Sequence, residues 1–330
     1  MNIISIDRKT ENNLILKKIT IENFRCFKNY EVDLTPGITV FIGKNGAGKT
    51  SLLNAIRYGL SVFFSNDSTM GDDLLISGNP DLKVISTLAT DFYRAQNADL
   101  PAVDLTINME AEFNDIPLNW EYYKRSTSGA SLFVSKYQQA YRTLMAEYHN
   151  SDQLPLFVFY SDSFPHIDTR TSDFAKKAIK EQGYIIRNFA YYKWNSEVSC
   201  TSIWQNRFIN SMLKQISLND SDPLNSKEVE YIKNKLRTFS EPINSALEEK
   251  DDFEIKDFFP VVDDKTLSLY LRLKNERDVI FDNLPAGYKR LYSIAFDLAY
   301  RLYILRKTNE EDPKGIAIIC LLYTSDAADE

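Results

Sequence analysis

Eight residues, Gly43-Lys44-Asn45-Gly46-Ala47-Gly48-Lys49-Thr50, constrain this chain more than any other stretch of it. They match the spacing G-x-x-x-x-G-K-[ST], in which glycines let the backbone curl so that successive N–H groups point at phosphate oxygens. In that pattern Lys49 brings a point charge to the β- and γ-phosphates, and the Thr50 hydroxyl is a ligand for Mg²⁺. With Gly and Lys each at roughly 7% of residues, the spacing arises by chance in about one chain of this length in a hundred. The context narrows the odds further. The β-branched run Ile38-Thr39-Val40-Phe41-Ile42 enters the motif as an expected buried strand, and Leu52, Leu53, Ile56 and Leu60 leave it at helical spacing. A helix starting there adds its partial positive charge at the phosphate. The expected ligand is a nucleoside triphosphate with Mg²⁺, ATP first, held by Gly43, Asn45, Gly46, Ala47, Gly48, Lys49, Thr50 and Ser51, with Thr50 on the metal.

Alternation of apolar and polar residues places strands on either side of this motif. Residues 14–24 and 30–34 read as an opening antiparallel pair, followed by a turn at Pro36-Gly37. Val103, Leu105, Ile107, Met109, Ala111 and Phe113 line one face of a half-solvated strand, and Asn114-Asp115 turns it into a second run with Ile116, Leu118, Trp120 and Tyr122. Residues 154–160 are a buried-strand candidate. Residues 161–224 read mostly as helix and loop, and 227–249 as a polar helix interrupted at Pro242. Residues 267–274 alternate as a strand, 288–306 form a strongly apolar helix entered through Pro285-Ala286-Gly287, and 315–319 begin another buried strand.

Composition excludes several classes. With 44% hydrophobic and 26% charged residues the chain is globular in character, and 39 bases against 46 acids leave a net charge of −7, so no overall positive field draws it to nucleic acid. Local basic faces remain at Lys176, Lys177 and Lys180 and at Lys233, Lys235 and Arg237, either for DNA or as solvated surface. Cys26, Cys200 and Cys320 are scattered, as are His149 and His166, which argues against a disulfide framework or a zinc site. The first 13 residues lack the apolar core of a secretory signal, and the apolar stretch 291–305 is cut by Asp297 and Arg301 and is too short to span a bilayer. A cytoplasmic protein with no membrane partner is expected.

The segment Ile19-Thr20-Ile21-Glu22-Asn23-Phe24-Arg25-Cys26-Phe27, with Ile42 through Leu53 close behind it, resembles the start of RecF/SMC-like ATPases of the ABC class. Within that class it is most similar to bacterial AAA-type ATP-binding proteins, including ATPases of some antiphage defence systems. The resemblance is specific at residues 15–60 and 283–306. It implies an α/β P-loop NTPase fold of the ABC/RecF-like kind, with an N-terminal antiparallel β subdomain and an inserted helical subdomain. On that reading residues 1–160 form the ATPase lobe, 161–262 a mainly helical insertion, and 263–319 the signature loop and the start of the Walker B strand. It also implies a homodimer in which ATP is sandwiched between heads, and a nuclease, another effector protein or DNA as partner. Arg25 falls where the family's Asn-Phe-Arg segment approaches nucleotide. Ala286, Gly287, Tyr288 and Lys289 are the signature-loop candidates acting in trans, or else a plain helix start with Pro285 near its first turn; the family's usual serine would fall at Pro285. Tyr160-Ser161-Asp162 stands where a Gln-loop equivalent would lie, without a Gln.

ABC-type hydrolysis also needs an acidic pair directly after an apolar strand, one acid for Mg²⁺ and one to polarise the attacking water. After Gly315–Ile319 the chain instead reads Cys320-Leu321-Leu322-Tyr323-Thr324-Ser325-Asp326-Ala327-Ala328-Asp329-Glu330. This tail, 320–330, resembles the translation of a transposon-end sequencing adapter, so a native sequence continuing past Ile319, with the C-terminal part of the core sheet missing here, is the expectation. A parental ATPase is then expected, with this chain binding nucleotide and hydrolysing it poorly. The alternatives are a P-loop phosphotransferase and a DNA-binding scaffold that holds nucleotide.

Overall fold

The computed structural model describes residues 1–7, 14–65, 82–127, 132–151, 154–161, 166–167, 187–195, 198–199, 201–218, 223–246, 255–263, 266–306 and 312–320. The chain divides into two compact units, residues 1–159 with 306–330, and residues 160–305.

In the first unit, strands β1 (Asn2–Asp7), β2 (Ile15–Phe24), β3 (Phe27–Asp33) and β4 (Gly37–Ile42) lead into helix α1 (Lys49–Ser61). Strands β5 (Leu105–Phe113) and β6 (Ile116–Lys124), helix α2 (Gln138–Ser151) and strand β7 (Leu156–Tyr160) follow. The alternation that predicts β2, β3, β5 and β6 builds one antiparallel sheet of four strands in the order β3-β2-β5-β6. Its inner face carries Ile19, Ile21, Ile107, Met109, Trp120 and Tyr122, all buried. Helix α1 packs there through Leu52, Ile56 and Leu60. Trp120 donates its indole N–H to the Gly59 carbonyl at 2.8 Å, which ties the sheet to the helix at one register. The turn between β5 and β6 has Asn114 and Asp115 at φ 49° and 64°, the left-handed pair that a two-residue hairpin of this twist requires. Strand β5 starts at Leu105, and Val103 is 77% exposed rather than part of the buried face.

Strand β4 departs from expectation. Its β-branched run has the strand conformation, but Ile38, Val40 and Ile42 are 47%, 39% and 46% exposed. Burial of such a run needs neighbours on both edges, and among the described residues β4 pairs only with β1, antiparallel, with Ile4 opposite Val40 and Asn2 opposite Ile42.

The second unit holds the short strands β8 (His166–Ile167) and β9 (Val198–Ser199), helices α3 (Thr201–Leu218) and α4 (Pro223–Ala246), strands β10 (Ile255–Asp263), β11 (Thr266–Leu273) and β12 (Asp278–Ile280), and helix α5 (Ala286–Leu305). Helix α4 runs through Pro242 instead of breaking there. The proline lies in the last turns, where its missing N–H removes one rung to the carbonyl of Thr238 without interrupting a long continuation. Apolar α5 packs on α3 through Trp204 stacked on Tyr300 at 5.1 Å and Phe208 set edge-on to Phe296 at 5.5 Å, and on α4 through Tyr231 against Tyr303 at 5.4 Å. The chain then returns to the first unit in β13 (Gly315–Ile319), which pairs with β7. All five residues of β7 are buried, whereas in β13, expected as a buried strand, Ile318 is buried and Ile319 is 40% exposed. No described helix is long and apolar enough to cross a membrane.

Candidate nucleotide-binding site

Because β4 ends at Ile42 and α1 begins at Lys49, residues 43–48 make the entire turn between them. Inside it the Ala47 N–H donates to the Lys44 carbonyl at 3.1 Å, and the Leu52 N–H donates to the Gly48 carbonyl at 2.9 Å as the first rung of the helix. Gly46 and Gly48 take φ of 79° and 90°. At Gly48 a side chain is excluded twice over: the backbone is left-handed, and a Cβ would stand 2.8 Å from Phe27 Cζ and 3.0 Å from Cys26 Sγ.

The Lys49 ammonium donates to the carbonyls of Gly43 at 2.5 Å and Lys44 at 2.9 Å, so the cation sits within the curve of the loop it follows. Helix α1 has no acid in its first turn and no side-chain cap at Gly48. Its leading N–H groups and its dipole are therefore left to an outside anion. Gly43, Lys44, Asn45, Gly46 and Thr50 are exposed, with Ala47, Gly48, Lys49 and Ser51 half-buried. This donor set, with backbone N–H groups, one enclosed cation, an exposed hydroxyl and no acid to repel a phosphate, fits a polyphosphate and its Mg²⁺.

Arg25 and Cys26 are the two turn residues of the β2–β3 hairpin, whose Phe24 and Phe27 pair across it. The contacts of Cys26 and Phe27 with Gly48 bring this tip directly onto the loop. Arg25 donates from Nε to Asp91 Oδ1 at 2.9 Å, and its guanidinium carbon lies 5.2 Å from the centre of the Phe24 ring.

Ala286, Gly287, Tyr288 and Lys289 form the first turn of α5, in the second unit. The Lys289 N–H donates to the Pro285 carbonyl at 2.8 Å, and its ammonium pairs with Asp282 at 3.1 Å. Pro285, Ala286 and Gly287 are exposed, and among the described residues a Cβ on Gly287 would meet nothing within 4 Å, so their packing does not demand glycine there. Tyr160 donates to Asp297 at 2.9 Å and the Ser161 carbonyl accepts from Arg290 at 2.9 Å, which gives both structural partners; Asp162 lies outside the described residues. So do Lys176, Lys177, Lys180, Cys200 and residues 321–330. In the other basic group Lys233 and Arg237 both pair with Asp257, at 2.8 and 3.4 Å, so one carboxylate offsets part of its positive charge. Despite its partial burial, Asp257 is held below the usual carboxylate range by the Lys233 hydrogen bond, that of the Phe258 N–H and the nearby positive charges. Sequence reasoning missed Asp91 and Tyr58, which stand behind Arg25; neither belongs to a motif.

A glycine turn between strand and helix, closed by a lysine ammonium, defines a P-loop protein. The chain belongs to the AAA domain family, whose model matches residues 18–284. It is 20% identical over 308 residues to a DNA replication and repair protein RecF of Azobacteroides pseudotrichonymphae, a match that covers 93% of this chain and 78% of that one. It is 39% identical over 59 residues to a DNA double-strand break repair Rad50 ATPase of Halobacterium salinarum, covering 18% of this chain and 7% of the relative. Among solved structures, that of the recombination mediator protein RecF with ATP aligns at a TM-score of 0.39 and 14% identity, over 98% of this chain and 89% of the other. The chain is thus a RecF/SMC-like, ABC-type member of the P-loop ATPases.

Proposed function

We propose that the 43–50 loop binds ATP with Mg²⁺, and that the parental protein is an ATP-gated head: two copies close on nucleotide and thereby control a partner in DNA maintenance or phage defence. The observation that carries the reading is the Lys49 ammonium, enclosed by the loop at 2.5 and 2.9 Å from two of its carbonyls, at the start of a helix with no acid in its first turn.

In this reading the N–H groups of Gly43 through Gly48 and the start of α1 hold the polyphosphate. Lys49 exchanges its carbonyl partners for phosphate oxygens, and Thr50 offers its hydroxyl to Mg²⁺. Bound with the nucleotide, Mg²⁺ supplies charge neutralisation at the phosphates. The hairpin tip adds Arg25 as a second cation, and the exposed first turn of α5, Ala286 to Lys289, is the surface a second copy presents in the closed dimer. The residue that follows β13 is Cys320, where hydrolysis calls for an acid, so this chain binds nucleotide more readily than it cleaves it.

Cys26 provides the test, because it is an exposed free thiol whose sulfur abuts the Gly48 backbone. Saturating Mg²⁺-ATP is expected to slow alkylation of Cys26 at least about fivefold, followed by peptide mass spectrometry, with no phosphate released above background. Alkylation at the same rate with and without ATP would contradict the binding site, and steady-state phosphate release would contradict the impaired hydrolysis.

A further inference from the structure

Outside the loop, a buried polar cluster of the first unit centres on Asp91, which is 2% exposed. Its Oδ1 accepts Arg25 Nε at 2.9 Å, and its Oδ2 accepts the Tyr58 hydroxyl at 2.9 Å and the Leu88 N–H at 2.8 Å. Its carbonyl accepts the Arg25 N–H at 2.7 Å, and the Tyr93 N–H donates to Asn23 O at 2.8 Å, so backbone bonds on both sides of Phe24 clamp the hairpin tip to residues 91–93. Phe24 and Phe92 bridge in between.

A single carboxylate therefore ties together two elements that each carry part of the site. Tyr58 belongs to α1, the helix that begins at Lys49, and Arg25 belongs to the tip that touches Gly48. Burial, then the Asp91 charge and hydrogen bond, push the Tyr58 hydroxyl up to about 12, so it stays a donor at any physiological pH. The bond from Arg25 runs through Nε, which leaves the four N–H donors of its two Nη groups to meet an outside acceptor. The Arg25 side chain keeps 30% of its surface exposed for that purpose, against 3% for Asp91.

We propose that Asp91 is a positioning residue for nucleotide binding: braced by Tyr58, it fixes the turn and guanidinium of Arg25 beside the 43–50 loop so that Arg25 can meet the bound polyphosphate. The proposal rests on the loop binding ATP, as argued above. It assigns Asp91 no contact with the nucleotide, only the placing of the residue that makes one.

A double-mutant cycle on the 330-residue chain, read as ATP affinity by calorimetry, tests it. Arg25→Ala is expected to weaken binding about tenfold and Asp91→Asn about fivefold, since a charge-assisted contact is worth about that much. The double variant should bind within about twofold of Arg25→Ala alone, because once the arginine is gone there is nothing left to position. Additive losses, about fiftyfold in the double variant, would overturn the proposal, since a merely structural role of Asp91 would act without Arg25. If Asp91→Asn does not fold, Tyr58→Phe takes its place, with a loss of about threefold expected that vanishes when Arg25 is already alanine; persistence of that loss would overturn the proposal equally. Lys49→Ala separates the two readings. Wild-type affinity in Lys49→Ala overturns the ATP site and with it this proposal, whereas lost affinity there beside wild-type affinity in Asp91→Asn overturns the positioning role alone.

Discussion

Lys49→Ala is expected to weaken ATP binding about a hundredfold while changing the stability of the chain by no more than about 0.5 kcal/mol. The ammonium now donates to two carbonyls of its own loop, an arrangement that nucleotide phosphate would replace with charge-assisted bonds. Such bonds contribute about 1.5–3 kcal/mol each, and a net loss of about 2.8 kcal/mol corresponds to the hundredfold change. Stability changes little because Lys49 is half-buried at the surface and fills no core position. Lys49→Arg should restore only part of the affinity, since a planar guanidinium is too broad to sit where a compact ammonium closes the loop. Calorimetric titration with ATP, beside a thermal melt of each variant, measures both quantities. Unchanged affinity in a folded Lys49→Ala chain would remove the nucleotide site altogether.

What the sequence makes legible follows from how local each constraint is. The phosphate loop is readable because each of its requirements falls on one residue: left-handed backbone at Gly46 and Gly48, a cation at Lys49, a hydroxyl at Thr50. The β5–β6 hairpin is readable for the same reason, with strict alternation on both strands and a two-residue turn that tolerates positive φ. The exposure of β4 is not readable, because a β-branched run encodes strand conformation while burial depends on what pairs beside it, and here that is β1, a segment with no alternation to announce it. Asp91 stands in the stretch between α1 and β5, which has no period at all, and its role comes from partners 66 and 33 residues away. A lone acid followed by Phe92 and Tyr93 is the only local trace of it. Asp297 and Arg301 mislead in the opposite direction. In the sequence they read only as charged interruptions of the apolar stretch 291–305, whereas both are buried, at 0% and 2% exposure, and paired with each other one helical turn apart.

That pair predicts the largest stability effect in the second unit: Asp297→Ala should cost about 4 kcal/mol. Asp297 accepts the Tyr160 hydroxyl at 2.9 Å, the Trp204 indole N–H at 2.6 Å and Arg301 Nε at 2.6 Å. Arg301 in turn donates from Nη1 to the carbonyls of Ala190 and Tyr192, at 2.5 and 3.0 Å, so the guanidinium is anchored from both sides and cannot swing out to water. Truncating the acid leaves a buried cation without its counter-charge, which by itself costs about 3–5 kcal/mol, along with an indole and a phenol that lose their acceptor. Asp297→Asn keeps the shape and removes only the charge, so about half of that loss is expected, while replacing the pair together as Asp297→Leu with Arg301→Met should be far milder because no charge is left stranded. Urea unfolding of the three variants, followed by tryptophan fluorescence through the buried Trp204, gives the ranking directly. A loss below about 1 kcal/mol for Asp297→Ala would mean that Arg301 finds solvent after all, and the second unit would then be held by its aromatic stacking and not by this ion pair.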